Sequence, residues 1–169
     1  MGAKRNSSLM RLLRQERGGI AVEFAIIIPV FLLLVFGIVD FGHAWYMDHL
    51  MSNASREGAR YGTRYMTDSL NQRVMPQGLT PSISDYILHN SAENGGQGGV
   101  GLLDLLPADS TPAVTPSGRG WTETNPTILA NKDLTVTVTA TKNWLVIGNL
   151  IPFLGSSVNL SVSTTMKCE

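Results

Sequence analysis

From Ile20 to Val39 nearly every position is apolar, and the single charge is Glu23. About 20 such residues, rising about 1.5 Å each in a helix, match the hydrocarbon thickness of a bilayer, so the run predicts one transmembrane helix. Beyond it, Met47, Leu50, Met51, Ala54, Gly58, Tyr61 and Tyr65 recur near the helical period, which predicts that the helix continues outward with one packing face. The last third changes period. Leu134, Val136, Val138 and Ala140 alternate with threonines, and Val158, Leu160, Val162 and Thr164 alternate with Asn159, Ser161, Ser163 and Thr165. A period of two predicts strands, near 133–142 and 157–166, paired antiparallel with their apolar faces over the outer end of the helix.

The middle of the chain is less regular. Thr80-Pro81 predicts a helix start with proline in the first turn, leading through Ile83, Tyr86 and Ile87. Asn94 to Gly101 reads as a glycine-rich flexible linker, and it lacks the lysine and preceding strand of a phosphate loop. Pro107 to Pro126 reads as irregular surface. Between the strands, Trp144, Leu145, Val146, Ile147, Leu150, Ile151, Phe153 and Leu154 form an apolar connection, suited to core packing or to contact with a subunit or membrane surface. It is too short and broken to cross a bilayer. The fold class is therefore α+β: a long N-terminal helix, transmembrane in its first half, followed by a small domain with an antiparallel sheet.

Charge gives the expected orientation. Thirteen Lys and Arg balance thirteen Asp and Glu, so no overall field draws the chain to nucleic acid. Lys4, Arg5, Arg11, Arg14 and Arg17 crowd the stretch before the apolar run, which keeps that side in the cytoplasm and places the rest outside it. A cleaved secretory signal would share the basic start, and Gly42-His43-Ala44 offers a small-x-small site, but the apolar centre is longer than such signals use. Trp45 and Tyr46 suit an interfacial aromatic belt. Asp40, His43, Met47 and Asp48 fall near one helical face, where a metal is conceivable but polar residues at an interface are the simpler reading.

A plain anchor gives no reason for Glu23, since a carboxylate inside a bilayer costs roughly 2.5 to 3.5 kcal/mol near the centre and usually has a partner or a task. A cut between Gly18 and Gly19 would supply one: the new amine is positive and Glu23 lies four residues along, so staggered neighbours could pair carboxylate with amine. Arg17-Gly18-Gly19-Ile20-Ala21-Val22-Glu23-Phe24 resembles the processing site of type IVb pilins and pseudopilins, with Glu23 fifth and Phe24 sixth after the cut. The likeness continues through Ala25, Pro29, Gly37, Asp40, Phe41 and Gly42 into Ala54-Ser55-Arg56-Glu57-Gly58-Ala59-Arg60-Tyr61-Gly62. Over about residues 16 to 62 the chain resembles a TadE-like pseudopilin of the tight-adherence pilus system.

That resemblance implies a division into a cytoplasmic leader (1–18) to be removed, a transmembrane helix (19–42), its outward extension (43–66) and a periplasmic domain (67–169). It implies cleavage between Gly18 and Gly19 by a prepilin peptidase, with Glu23 and Phe24 serving assembly. Expected partners are that peptidase, other pilin-like subunits, the assembly machinery and inner-membrane lipid, with no nucleic acid. The alternative is an uncleaved single-pass scaffold or binding subunit of an envelope complex. Arg56, Arg60 and Arg64, at successive steps of four, form a basic stripe for an acidic partner, lipid headgroups or Glu57. Pro29 removes a backbone donor inside the span and predicts a bend. Cys168 has no internal partner for a disulfide, and His43, His49 and His89 stand in no catalytic motif, so neither an enzyme, a cofactor nor a metal is expected.

Overall fold

The computed structural model describes the backbone of residues 7–150 and 155–169, and the side chains of 19–148 and 155–169. Of the leader, residues 1–6 lie outside the described residues, as do Ile151, Phe153 and Leu154 of the apolar connection. One helix, α1, runs from Ser7 to Thr63 with Pro29 inside it. At about 1.5 Å per residue it is far longer than the rest of the fold is wide. Its two described halves meet opposite surroundings. The apolar stretch from Gly19 is long and apolar enough to cross a membrane, and none of its most apolar window is buried by the protein. From Met47 onward, one face packs into the core. A long apolar helix with no protein around it is compatible with a single-pass membrane anchor.

The outer half of α1 carries the domain. Met47, Met51, Ala54, Gly58, Tyr61 and Gly62 recur at helical spacing and are buried, as the period predicts, whereas Tyr65 lies beyond the helix end and is exposed. Against this stripe lies a three-stranded antiparallel sheet in the order β1 (Ala113–Ser117), β2 (Asp133–Asn143), β3 (Ser157–Lys167). In the central strand β2, Leu134, Val136, Val138 and Ala140 are buried and the intervening threonines are half-exposed. Its register with β3 sets Leu134 opposite Met166 and Val138 opposite Val162. The alternation read from both segments therefore faces the helix, and the α+β architecture stands.

Three segments differ from the expectations. The stretch around Ala113 is no irregular surface: β1 pairs with β2, with Val114 opposite Val138 and Pro116 opposite Val136. Proline is tolerated there because β1 is an edge strand. The helix α2 (Ile83–Leu88) starts later than Pro81, with Ser82 as its N-cap, whose hydroxyl accepts from the Asp85 N–H at 3.1 Å. The glycine-rich stretch is a built turn rather than a linker. Asn94 Nδ2 donates to the Gly98 carbonyl at 2.9 Å, and Asn90 and Val100 form a bridge. A Cβ at Gly99 would come within 2.2 Å of the His89 carbonyl oxygen, so this position requires glycine. The turn leads into α3 (Leu102–Leu105), and a further short helix, α4 (Arg119–Thr122), precedes β2.

Two glycines of α1 decide how closely the layers approach. A Cβ at Gly58 would stand 2.2 Å from Ile87 Cδ1, and one at Gly62 2.5 Å from Ile83 Cδ1 and 2.6 Å from Leu134 Cδ2. Spaced one turn apart, they form a shallow notch that receives α2 and β2. Tyr61 closes its side: its ring stacks on Tyr86 at 4.1 Å and its hydroxyl donates to the Pro81 carbonyl at 2.8 Å. At the far end, the Glu169 N–H donates to the Thr63 carbonyl at 3.1 Å, tying the end of β3 to the end of α1.

Candidate functional site

Gly18 and Gly19 lie within α1, which passes through them without a break. At Gly19 no atom lies within 4 Å of where a Cβ would stand, and the position is exposed. Glu23 and Phe24 follow one turn later and are exposed, Phe24 to 59%. Among the described residues, no salt bridge reaches Glu23. Glycine in a helix interior costs about 1 kcal/mol relative to alanine, so two in succession make this turn the easiest part of the leader junction to unwind.

Arg56 and Arg60 are exposed on α1, while Arg64 lies one residue past its end, so the stripe has two helical members and one in the following bend. Arg60 Nη1 stands 3.9 Å from Glu57 Oε1, an exposed pair of small energetic weight. The structure does not bring the basic stripe to the Gly18–Phe24 turn: more than thirty residues of one helix separate them, about 50 Å.

The most constructed polar feature falls between those two regions. Asp40 ends the apolar run and is fully buried. Its Oδ1 accepts the Leu145 N–H at 3.0 Å, and its Oδ2 accepts the N–H groups of Val146 and Ile147, each at 3.1 Å. Three successive backbone donors converge on one carboxylate at the start of α5 (Ile147–Leu150), as they do at a helix N-terminus. Charge-assisted bonds of this kind are each worth about 1.5 to 3 kcal/mol. The helical face shared by Asp40, His43, Met47 and Asp48 predicts polar residues at an interface, or a metal held among them. The structure instead commits both carboxylate oxygens to backbone. Met47 is buried and Asp48 exposed, so these residues do not converge. Among the described residues no group of three His, Cys, Asp or Glu is placed to hold a metal ion.

Spacing in the sequence could not reveal the Asp40 clasp, because its partners lie about a hundred residues away. The available signal was a lone acid at the end of an apolar run, together with an apolar connection rich in backbone donors. Nearby, Trp45 and Tyr46 are exposed, and Trp45 Nε1 donates to His49 Nε2 at 2.6 Å. These rings stand about one to two turns beyond Asp40, where an interfacial belt would place them.

No curated protein and no solved structure matches the chain. Residues 18–60 match the family model for TadE-like protein. That match begins at Gly18, contains Glu23, Phe24, Asp40 and Gly58, and ends on Arg60, so the likeness to TadE-like protein is confined to the helical segment on which all these residues stand.

Proposed function

We propose that the chain is a pilin-like protein, cut between Gly18 and Gly19 by a prepilin peptidase and then taking part in assembly of a tight-adherence pilus. The observation that carries this reading is the order of features along one TadE-like helix: a glycine pair, Glu23-Phe24 one turn on, then an apolar run that the protein itself leaves uncovered. In this reading α1 crosses the inner membrane once, the basic leader stays in the cytoplasm, and the domain lies on the periplasmic side. Cleavage frees a positive amine about 6 Å along the helix from Glu23, a separation that lets the amine of one subunit meet the Glu23 carboxylate of a staggered neighbour and offset its cost in the bilayer. The chain is then a peptidase substrate and a structural subunit, not a catalyst. Its partners are the peptidase, neighbouring pilin-like subunits and membrane lipid, and its wider role is adhesion.

The unbroken passage of α1 through Gly18 and Gly19 favours a second reading, an uncleaved anchored scaffold. The two are separated by the N-terminal sequence and intact mass of the protein purified from its own membranes, with and without the peptidase. A chain beginning at Gly19 that appears only when the peptidase is present is the expected result. A chain retaining its leader in both cases overturns processing and leaves the scaffold.

A further inference from the structure

We propose that the turn from Trp144 to Gly148 is a second membrane contact, resting in the outer boundary of the same bilayer that α1 crosses. This rests on the anchor reading above and extends it to a part of the chain that lies about a hundred residues from the span.

Position carries the first part of the argument. The Asp40 carboxylate fixes Leu145, Val146 and Ile147 beside α1 at the level where the apolar run ends. Ile147 reaches further down: its Cδ1 stands 3.7 Å from where a Cβ on Gly37 would be. Gly37 is three residues inside the apolar run, about 4.5 Å below Asp40 along the helix axis. A turn held there cannot avoid the layer that surrounds that part of α1.

Chemistry carries the second. No residue from Asn143 to Gly148 is charged, Val146 and Ile147 are half-buried, and Leu145 is 60% exposed. A lipid-facing loop is normally excluded because its backbone donors would have no partner. Here that objection is removed for four consecutive residues. The Trp144 N–H donates to the Ser156 carbonyl at 3.1 Å, and the next three donate to Asp40. The same bonds satisfy the carboxylate, so both sides of the clasp can enter a low-dielectric boundary. Lys142, at the top of the turn, is almost fully buried and directs its amine to the Asn143 carbonyl and toward the Trp144 ring. The occupant that fits is therefore the acyl and glycerol boundary of a phospholipid bilayer, continuous with the surface already assigned to α1.

The test uses the full-length protein in phosphatidylcholine and phosphatidylglycerol vesicles, with Cys168→Ser throughout and one nitroxide label at a time on Leu145→Cys, Phe31→Cys or Gln97→Cys. Collision with oxygen, which concentrates in the bilayer, is compared with collision with a water-soluble nickel chelate. Phe31 reports the span and Gln97 the aqueous side. The proposal expects an oxygen preference at Leu145 several-fold above that at Gln97 and below that at Phe31. If Phe31 is lipid-exposed while Leu145 matches Gln97, the turn stands in water and the proposal fails although the anchor holds. A Leu145 label shielded from both reagents means a protein partner covers it, which also overturns the proposal. A Phe31 label in water removes the anchor itself.

Discussion

Asp40 joins the two halves of the molecule through one side chain, and its chemistry fixes what substitution should do. Replacing it with alanine leaves three N–H groups at the Leu145–Ile147 turn without acceptors, and each buried donor so orphaned costs about 1 to 3 kcal/mol, less where water can enter. Asp40→Ala should therefore lower the stability of the domain by about 3 kcal/mol in denaturant titrations of the detergent-solubilised protein. Asp40→Asn, which keeps one acceptor oxygen, should fall between it and the native chain. A loss under about 0.5 kcal/mol for the alanine variant would show that the clasp contributes little. At this scale the sequence was least informative: it displayed the acid but not the donors, because hydrogen bonds between distant segments leave no periodic trace.

Cys168 shows the same limit from the other side. A lone cysteine shows in the sequence only that it has no internal disulfide partner; in the fold its side chain is buried beside Gly120, and burial raises its pKa, with Arg73 opposing and Asp133 adding. The thiol is therefore less ionised when folded than when unfolded. The sign follows: the stability linked to this group is complete below the ordinary thiol range, near pH 8.5, and is lost as pH rises through the higher folded value. Alkylation by iodoacetamide near pH 8 should be slower in the native protein than in urea, because the folded thiol is both covered and less ionised. Equal rates in the two states would mean that the thiol is open in the folded chain.

Elements defined by strong periodicity were legible, and those defined by pairing were not. The outer half of α1, β2 and β3 each announce their buried face by spacing, and each lies where the spacing predicts. The five residues of β1 include Thr115, Pro116 and Ser117, which resemble a loop until β2 supplies their partners. Local propensity cannot see that neighbour. The glycine-rich turn misled for a related reason: glycine there answers close backbone approach at Gly99, not a need for flexibility. In α1 the same residue type can be tested by contrast. Gly62→Ala drives a methyl into Ile83 and Leu134, both fully buried, and should cost about 1 to 3 kcal/mol. Gly42→Ala meets nothing within 4 Å and should gain up to about 1 kcal/mol from helix propensity. Thermal melts of the two variants should move in opposite directions. A stable Gly62→Ala would mean that the notch is not closed in solution.

For the whole molecule, the distribution of burial separates an apolar rod from a domain built on its continuation. No residue from Gly19 to Val39 is fully buried, and the first buried side chain along the described chain is Asp40, followed by Met47 and Met51. The sheet, α2 and the notch at Gly58 and Gly62 all lie beyond that point. The core is therefore complete without the apolar run, and the run contributes solubility cost rather than packing in water. A chain beginning at Asp40 should be soluble without detergent and should unfold in one cooperative transition, because it keeps both the helix face and the acceptor for the Leu145–Ile147 donors. A chain beginning at Ala44 retains the core but loses that acceptor, and should melt several degrees lower, in proportion to the about 3 kcal/mol assigned to Asp40. If the longer of these two chains aggregates or lacks a cooperative transition, the apolar run takes part in folding the domain, and the division at Asp40 is wrong. If both fold with equal stability, the core stands alone and the clasp serves only to fix the turn against the helix.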